Sequence, residues 1–248
     1  MKLLVWCVVG LLGFQNAGAD VVTLTISAAA SLRRPLEKIQ REFEKLHPST
    51  RIVYNFGSSG ALKQQVVNGA PVDIFISAAA APMDELERIG LIDPASRFVM
   101  AGNTLVLIAS PSEKDLSGFA GLAGVRTIAI GEPKSVPAGA YAIEVFDHFD
   151  MSSSVRDKLV SAKDVRQVLV YVESGNAEAG IVYGSDALGS HSVRTVAVAP
   201  PDSHTKIEYP AAVIVASRHR AAGEEFLAFL RSPSAQSVFQ AAGFMSGS

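Results

Sequence analysis

The chain has 248 residues, a formal charge of −2 and one cysteine. So small a net charge argues against nucleic acid as a partner. It also provides no global field to attract an anion, so any anion affinity has to be local. A lone cysteine excludes an intrachain disulfide and a multi-thiolate metal site.

The first residues read as a secretory leader. Lys2 supplies the positive start, residues 3–14 are apolar, and Ala17-Gly18-Ala19 gives the small-x-small cleavage pattern. The apolar run is shorter than the ~20 residues that a spanning helix needs. Cleavage is expected after Ala19, which makes 1–19 a signal peptide and the mature chain one charge more negative through loss of Lys2. Cys7 leaves with the leader, and too little apolar sequence precedes it for a lipid anchor. Export without cysteine suits a bacterial envelope compartment, the periplasm, and the remaining ~230 residues can bury a sizeable core.

Residues 22–27 alternate and are β-branched, which predicts a strand. Leu32, Leu36, Ile39, Phe43 and Leu46 then recur at helical spacing. Pro35 is tolerable only in that helix's first turn, and Pro48 closes the segment. Residues 51–56 form a second strand running into Gly57-Ser58-Ser59-Gly60, followed by a helix over 61–68. A third strand at 72–77 and a third helix at 83–89 follow. Three strand–loop–helix units predict an α/β fold with a mostly parallel sheet flanked by helices.

Residues 98–101 and 104–110 predict a β pair around Gly102-Asn103, the first crossing into a second lobe. There the alternation resumes, with a strand at 125–130 and a helix at 138–149 opened by Pro137. Asp164 reads as an N-cap with Gln167 three residues on, before a helix whose apolar face is Val165, Val168, Leu169 and Val172. Strands at 179–183 and 194–199 precede Pro200-Pro201-Asp202-Ser203, which is turn chemistry. The apolar run 209–217 is the second crossing, followed by helices at 221–230 and 234–241. The predicted organisation is a first lobe from 20–103 and 210–248, a second lobe from 104–209, and two crossing strands as a hinge beside a cleft.

Five strand-to-helix junctions carry small or polar residues: Ser31, Ser58-Ser59, Pro137-Ala138, Asp164-Val165 and Tyr183-Gly184. Ligands of open α/β sheets bind at such carboxyl ends. An oxyanion without a proton offers only acceptors, so its natural partner is a shell of hydroxyls and helix-start amides. Ser31 and Ser59 would donate hydroxyls, with Gly57 and Gly60 allowing close backbone approach, and Tyr183 would add its phenol. Plainer readings stand beside these: Ser31 as an N-cap, Ser58-Ser59 as a turn, Tyr183 as a core aromatic.

Enzyme signatures are weak. The histidines, His47, His148, His191, His204 and His219, lack metal-ligand spacing. Ser203 and Lys206 match S-x-x-K but precede a strand instead of opening a helix. Asp84 with Glu85, and Glu224 with Glu225, read as solvated helix faces, and no phosphate-binding or dinucleotide fingerprint is present. The reading is a carrier of a small oxyanion, with no catalysis and no cofactor.

These residues resemble the periplasmic molybdate-binding proteins of ABC importers. The resemblance covers nearly the whole mature chain: AAASL at 28–32, FGSSGAL at 56–62, GAPVDIFISA at 69–78, VPAGAYA at 136–142, KDVR at 163–166, GIVYGSDA at 180–187 and DSHTKIEYPAAV at 202–213. It implies a two-lobe type II periplasmic binding protein that passes molybdate or tungstate to a membrane permease and its ATPase; a monomer is expected. It further implies ligand contacts from Ser31, Ser59, Ala138, Val165 and Tyr183, the second and third of the five junction pairs contributing through Ser59 and the backbone N–H of Ala138. Val165 would likewise act through its N–H. Ser58, Gly60 and Asp164 would support these contacts, and molybdenum would be held only as its oxyanion, with no direct protein ligand. A glycine at 57, where relatives often have a third serine, leaves both Ser58 and Ser59 as candidate donors. Sulfate or thiosulfate carriers share the implied fold and form the alternative.

Overall fold

In the computed structural model, which describes residues 21–247, β1 (Val22–Ala29) runs through a 3₁₀ turn, Ala30–Leu32, into α1 (Arg33–Leu46). The expected leader, with Cys7 and the cleavage point, lies outside the described residues. Next come β2 (Thr50–Gly57), α2 (Ser59–Val67), β3 (Ile74–Ile76) and α3 (Ala80–Arg88). α2 starts two residues earlier than predicted, because Ser58 is extended and caps it.

β4 (Phe98–Gly102) and β5 (Leu105–Ala109) follow. The second unit contains β6 (Ile128–Gly131), α4 (Pro137–His148), α5 (Ser152–Val155), β7 (Leu159–Ala162), α6 (Val165–Glu173), β8 (Ala179–Tyr183), α7 (Gly184–Leu188) and β9 (Arg194–Val198). The chain then returns through β10 (Glu208–Val213), α8 (Arg220–Leu230), α9 (Pro233–Ala241) and β11 (Met245–Ser246).

Two sheets result, ordered β11-β4-β10-β3-β1-β2 and β7-β6-β8-β5-β9. The parallel expectation describes β3-β1-β2 and β7-β6-β8. The remaining pairings are antiparallel, because they involve the strands that carry the chain out and back, β4, β10 and β5, together with β9 and the terminal β11. The predicted β pair across Gly102-Asn103 does not form. β4 pairs with β10 and β11 in the first sheet, whereas β5 pairs with β8 and β9 in the second. The Asn103 side chain accepts the Thr104 and Ser185 amides and so steers the chain from one sheet to the other instead of closing a hairpin. The return is complete by Glu208, since Glu208 and Tyr209 already pair with Gly102 and Ala101.

The helices bury the faces their periodicity predicts. α1 packs Leu36, Ile39 and Phe43 inward, and the Phe43 ring meets Phe226 of α8 edge-on at 5.1 Å. A fully buried phenylalanine of this kind contributes roughly 1.5–3 kcal/mol. α6 buries Val165, Val168, Leu169 and Val172. These apolar faces hold the helix starts at the carboxyl ends of the strands, where the two units meet.

Candidate functional site

Ser31 lies in the 3₁₀ turn after β1, and its Oγ is 3.2 Å from the Tyr209 phenol oxygen. It makes no capping bond, and Leu32 occupies the N-cap position of α1, so the plain N-cap reading does not describe it. The two serines of the next junction divide their work. Ser58 Oγ accepts the Ala61 N–H at 3.4 Å and caps α2. Ser59, wholly buried, accepts the Ala78 N–H on its Oγ at 2.9 Å. With that oxygen engaged, the Ser59 hydroxyl hydrogen is left for an acceptor in the cleft.

In the second unit, Pro137 is the first residue of α4 and has no N–H to give. Gly139 and Ala140 both donate back to the Val136 carbonyl. Ala138, one turn too early for an intrahelical acceptor, is therefore the first amide available at that helix start. It is the helix's second residue, not the first as the sequence suggested. Gly139 makes the arrangement possible: a Cβ there would lie 1.9 Å from the Gly131 carbonyl oxygen.

Val165 opens α6 behind Asp164, whose Oδ1 accepts the Gln167 N–H at 2.9 Å. The Gln167 side chain reaches back to the Lys163 N–H at 2.9 Å. Tyr183, at the end of β8, donates its hydroxyl to the Ala78 carbonyl at 3.5 Å, a long bond between the units. Burial pushes its phenol pKa well above the usual value, with the nearby Tyr209, Tyr141 and Asp186 acting the same way, so it remains a donor.

A small, tight cavity lies where these starts converge. Ser31, Ser58, Ser59, Val165 and Tyr183 line it, together with Ala78, Val136, Pro137 and Asp164. The α4 segment lines it through Val136 and Pro137, while Ala138 itself is wholly buried just behind. Among the described residues no lysine, arginine or histidine reaches the wall. Three helices of nine to twelve residues, α2, α4 and α6, begin there. Each start carries roughly half a positive charge, so together they offset most of a dianion. Among the described residues the one carboxylate in the wall is Asp164, whose Oδ1 caps α6. Arg166 of the KDVR stretch turns away to the buried Asp186, at 3.4 Å. Burial holds the Asp186 carboxyl up at about 6 from 3.8 despite Arg166.

The units touch across the cleft. The Gly60 N–H donates to the Ser135 carbonyl at 3.0 Å, and Arg34 Nη1 donates to the Gly189 carbonyl. Gly60, read from sequence as easing approach to a ligand, instead allows one lobe to approach the other. The serine of the S-x-x-K match lies in a turn, where Ser203 Oγ donates to the Pro200 carbonyl at 2.7 Å.

Sequence reasoning passed over Asn103, Tyr209 and Ala78. In the sequence Asn103 reads only as the centre of a β pair and Tyr209 as the start of an apolar strand. A tyrosine at the edge of an otherwise apolar run was the available signal, since a buried phenol needs a partner.

Two mixed sheets joined by paired crossing strands, with helix starts facing each other over a cavity, define a type II periplasmic binding protein. The chain belongs to the bacterial extracellular solute-binding proteins, whose family model matches residues 24–245. It is 44% identical over 224 residues to YvgL of Bacillus subtilis, named as a candidate ABC transporter substrate-binding lipoprotein, covering 90% of this chain and 86% of that one. It is 39% identical over 236 residues to the molybdate-binding protein ModA of Escherichia coli, covering 92% and 91%. Among solved structures, the periplasmic molybdate-binding protein of Azotobacter vinelandii superposes with a TM-score of 0.81 at 27% identity, covering 90% of this chain and 98% of that one.

Proposed function

We propose that this chain captures molybdate, and tungstate with it, in the cleft between its lobes and delivers the oxyanion to the membrane permease of an ABC importer. The observation that carries this reading is a cavity walled by hydroxyls and three helix starts, with no cationic side chain. Such a wall suits a proton-free dianion. Ser31 and Ser59 donate hydroxyls, Tyr183 turns its hydroxyl from the Ala78 carbonyl to the ligand, and Ala138 and Val165 donate backbone N–H groups. Ser31 and Ser59 come from one lobe and the other three from its partner lobe, so the full shell exists only when the cleft is shut. Ligand then stabilises the shut form by its differential affinity. The protein works as an exported monomer, within the division into lobes at 20–103 with 210–248 and at 104–209.

The same shell discriminates. Monohydrogen phosphate brings a proton that needs an acceptor, and the five proposed contacts, Ser31, Ser59, Ala138, Val165 and Tyr183, are donors with no carboxylate among them. Leaving that proton unpaired costs about 1–3 kcal/mol. A thermal-shift panel with molybdate, tungstate, sulfate and phosphate tests the proposal. At 100 times the dissociation constant a ligand stabilises by about 2.7 kcal/mol. Molybdate and tungstate are expected to stabilise most. Calorimetry showing no molybdate binding at millimolar concentration overturns the assignment, and tighter binding of sulfate redirects it to the sulfate carriers.

A further inference from the structure

We propose that Asn103 and Tyr209 form a hydrogen-bond relay from the crossing strands to Ser31, which fixes the Ser31 hydroxyl as a donor toward the cleft. The relay rests on the reading of Ser31 as a ligand contact. Its direction follows from bonds whose polarity is not negotiable. Asn103 Oδ1 accepts two backbone amides, Thr104 N–H at 2.9 Å and Ser185 N–H at 3.4 Å. The carboxamide is thereby oriented, so its Nδ2 faces Ser185 Oγ at 2.8 Å and the Tyr209 oxygen at 3.1 Å as a donor. The Tyr209 oxygen is thus occupied as an acceptor. Its own hydrogen has Ser31 Oγ, at 3.2 Å, as partner.

Once Tyr209 donates to Ser31, the Ser31 hydrogen cannot point back at Tyr209 and has to point elsewhere, and the cavity is beside it. Ser59 is set the same way by the Ala78 amide. Tyr209 is fully buried, and burial raises its phenol well above the ordinary range, so the proton stays in place. Asn103 belongs to the outgoing crossing, Ser185 to the second lobe and Tyr209 to the return strand, so the relay is complete only with the lobes in this relation. Asn103 and Tyr209 are positioning residues; they act through Ser31.

Tyr209→Phe removes the hydroxyl and keeps the ring packed edge-on against Tyr183 and Phe244, at 5.8 and 5.3 Å. The experiment measures molybdate affinity by calorimetry for the native chain, Ser31→Ala, Tyr209→Phe and the double variant. Tyr209→Phe is expected to weaken binding about three- to tenfold, and the double variant is expected to match Ser31→Ala alone. A merely structural role for Tyr209 would instead make the two losses multiply, which overturns the relay, as does native affinity in Tyr209→Phe. Asn103→Asp is the second variant. It replaces the Nδ2 donor with an acceptor and draws the Tyr209 proton away from Ser31. Its expected loss is likewise absent when Ser31 is already alanine, and unchanged affinity in this variant overturns the direction assigned. If molybdate binds the native chain and Ser31→Ala equally well, the contact assignment of Ser31 fails and the relay fails with it. If only the coupling is missing, the contact survives and the relay alone is lost.

Discussion

The Gly60 amide donates across the cleft to the Ser135 carbonyl at 3.0 Å, and a Cβ on Gly60 would come within 2.6 Å of that same oxygen. The atoms that Cβ would meet, the O, Cα and C of Ser135, all belong to backbone, so none can swing aside. Gly60→Ala is therefore expected to hold the lobes apart at this point. Molybdate affinity should fall by at least about tenfold, which corresponds to 1.4 kcal/mol of lost closure. The thermal midpoint without ligand should change little. Small-angle scattering with and without molybdate checks this directly, because the native chain should compact and the variant should not. An unaltered dissociation constant would show that closure does not need this approach.

The two neighbouring serines should separate in mutagenesis. Ser59→Ala removes a hydroxyl whose oxygen already accepts the Ala78 N–H, so on the proposed assignment it deletes a donor to the dianion. Its expected cost in molybdate affinity is about 1.5–3 kcal/mol, the worth of a charge-assisted hydrogen bond. Ser58→Ala removes the α2 cap and should cost about 1 kcal/mol of folding stability, with a smaller effect on affinity. Calorimetry paired with thermal melts distinguishes them. A reversed pattern would move the donor role to Ser58.

Asp186 gives a pH signature. Burial raises its carboxyl from 3.8 to about 6, opposed by Arg166 and Arg34 and reinforced by Asp164. Between pH 4 and 6 the folded chain retains a proton that the unfolded chain has lost. Stability from this group is thus greatest below about pH 4 and declines as pH rises to about 6. The span corresponds to an effect on the order of 3 kcal/mol. Asp186→Asn should abolish that decline, so its stability relative to the native chain should rise across the window. Denaturant melts at pH 4, 5, 6 and 7 measure it, and a flat difference between the two proteins would refute the assignment.

Gly139→Ala tests how the α4 start is held. The added methyl would meet the Gly131 backbone at 1.9 Å, a contact that only a shift of the helix can relieve. Overpacking of this kind costs about 1–3 kcal/mol. At about 2–4 °C per kcal/mol for a chain of this size, the melting temperature should drop measurably. Molybdate affinity should fall with it, because the Ala138 amide moves. Native affinity in a destabilised variant would argue that this amide does not face the ligand.

Much of this molecule was legible from residue pattern because local signals and burial agree. The α6 start is the clearest case: Asp164, Gln167 and the four-residue apolar stripe each appear in the fold with the partners their types require. Two kinds of feature were not legible. Short elements such as α7, five residues, and β7, a half-exposed edge strand of four, present too few residues to reveal a period. The second kind is long-range polarity. That Asn103 faces Ser185 and Tyr209, 82 and 106 positions away, depends on the crossing, and Gly102-Asn103 reads locally as a turn. The same limit hid the purpose of Gly60, which is set by Ser135 and not by its own neighbours.

Strands β4 and β10 are hydrogen-bonded neighbours, with Ala101 opposite Tyr209 where one leaves and the other re-enters the first sheet. Two tethers anchored side by side resist torsion and shear far more than they resist folding along a shared crease. In the proposed capture, closure along that crease would convert chemical identity into a single angle. A docking partner need only gauge that angle; it never has to touch the cargo in order to know that it is aboard.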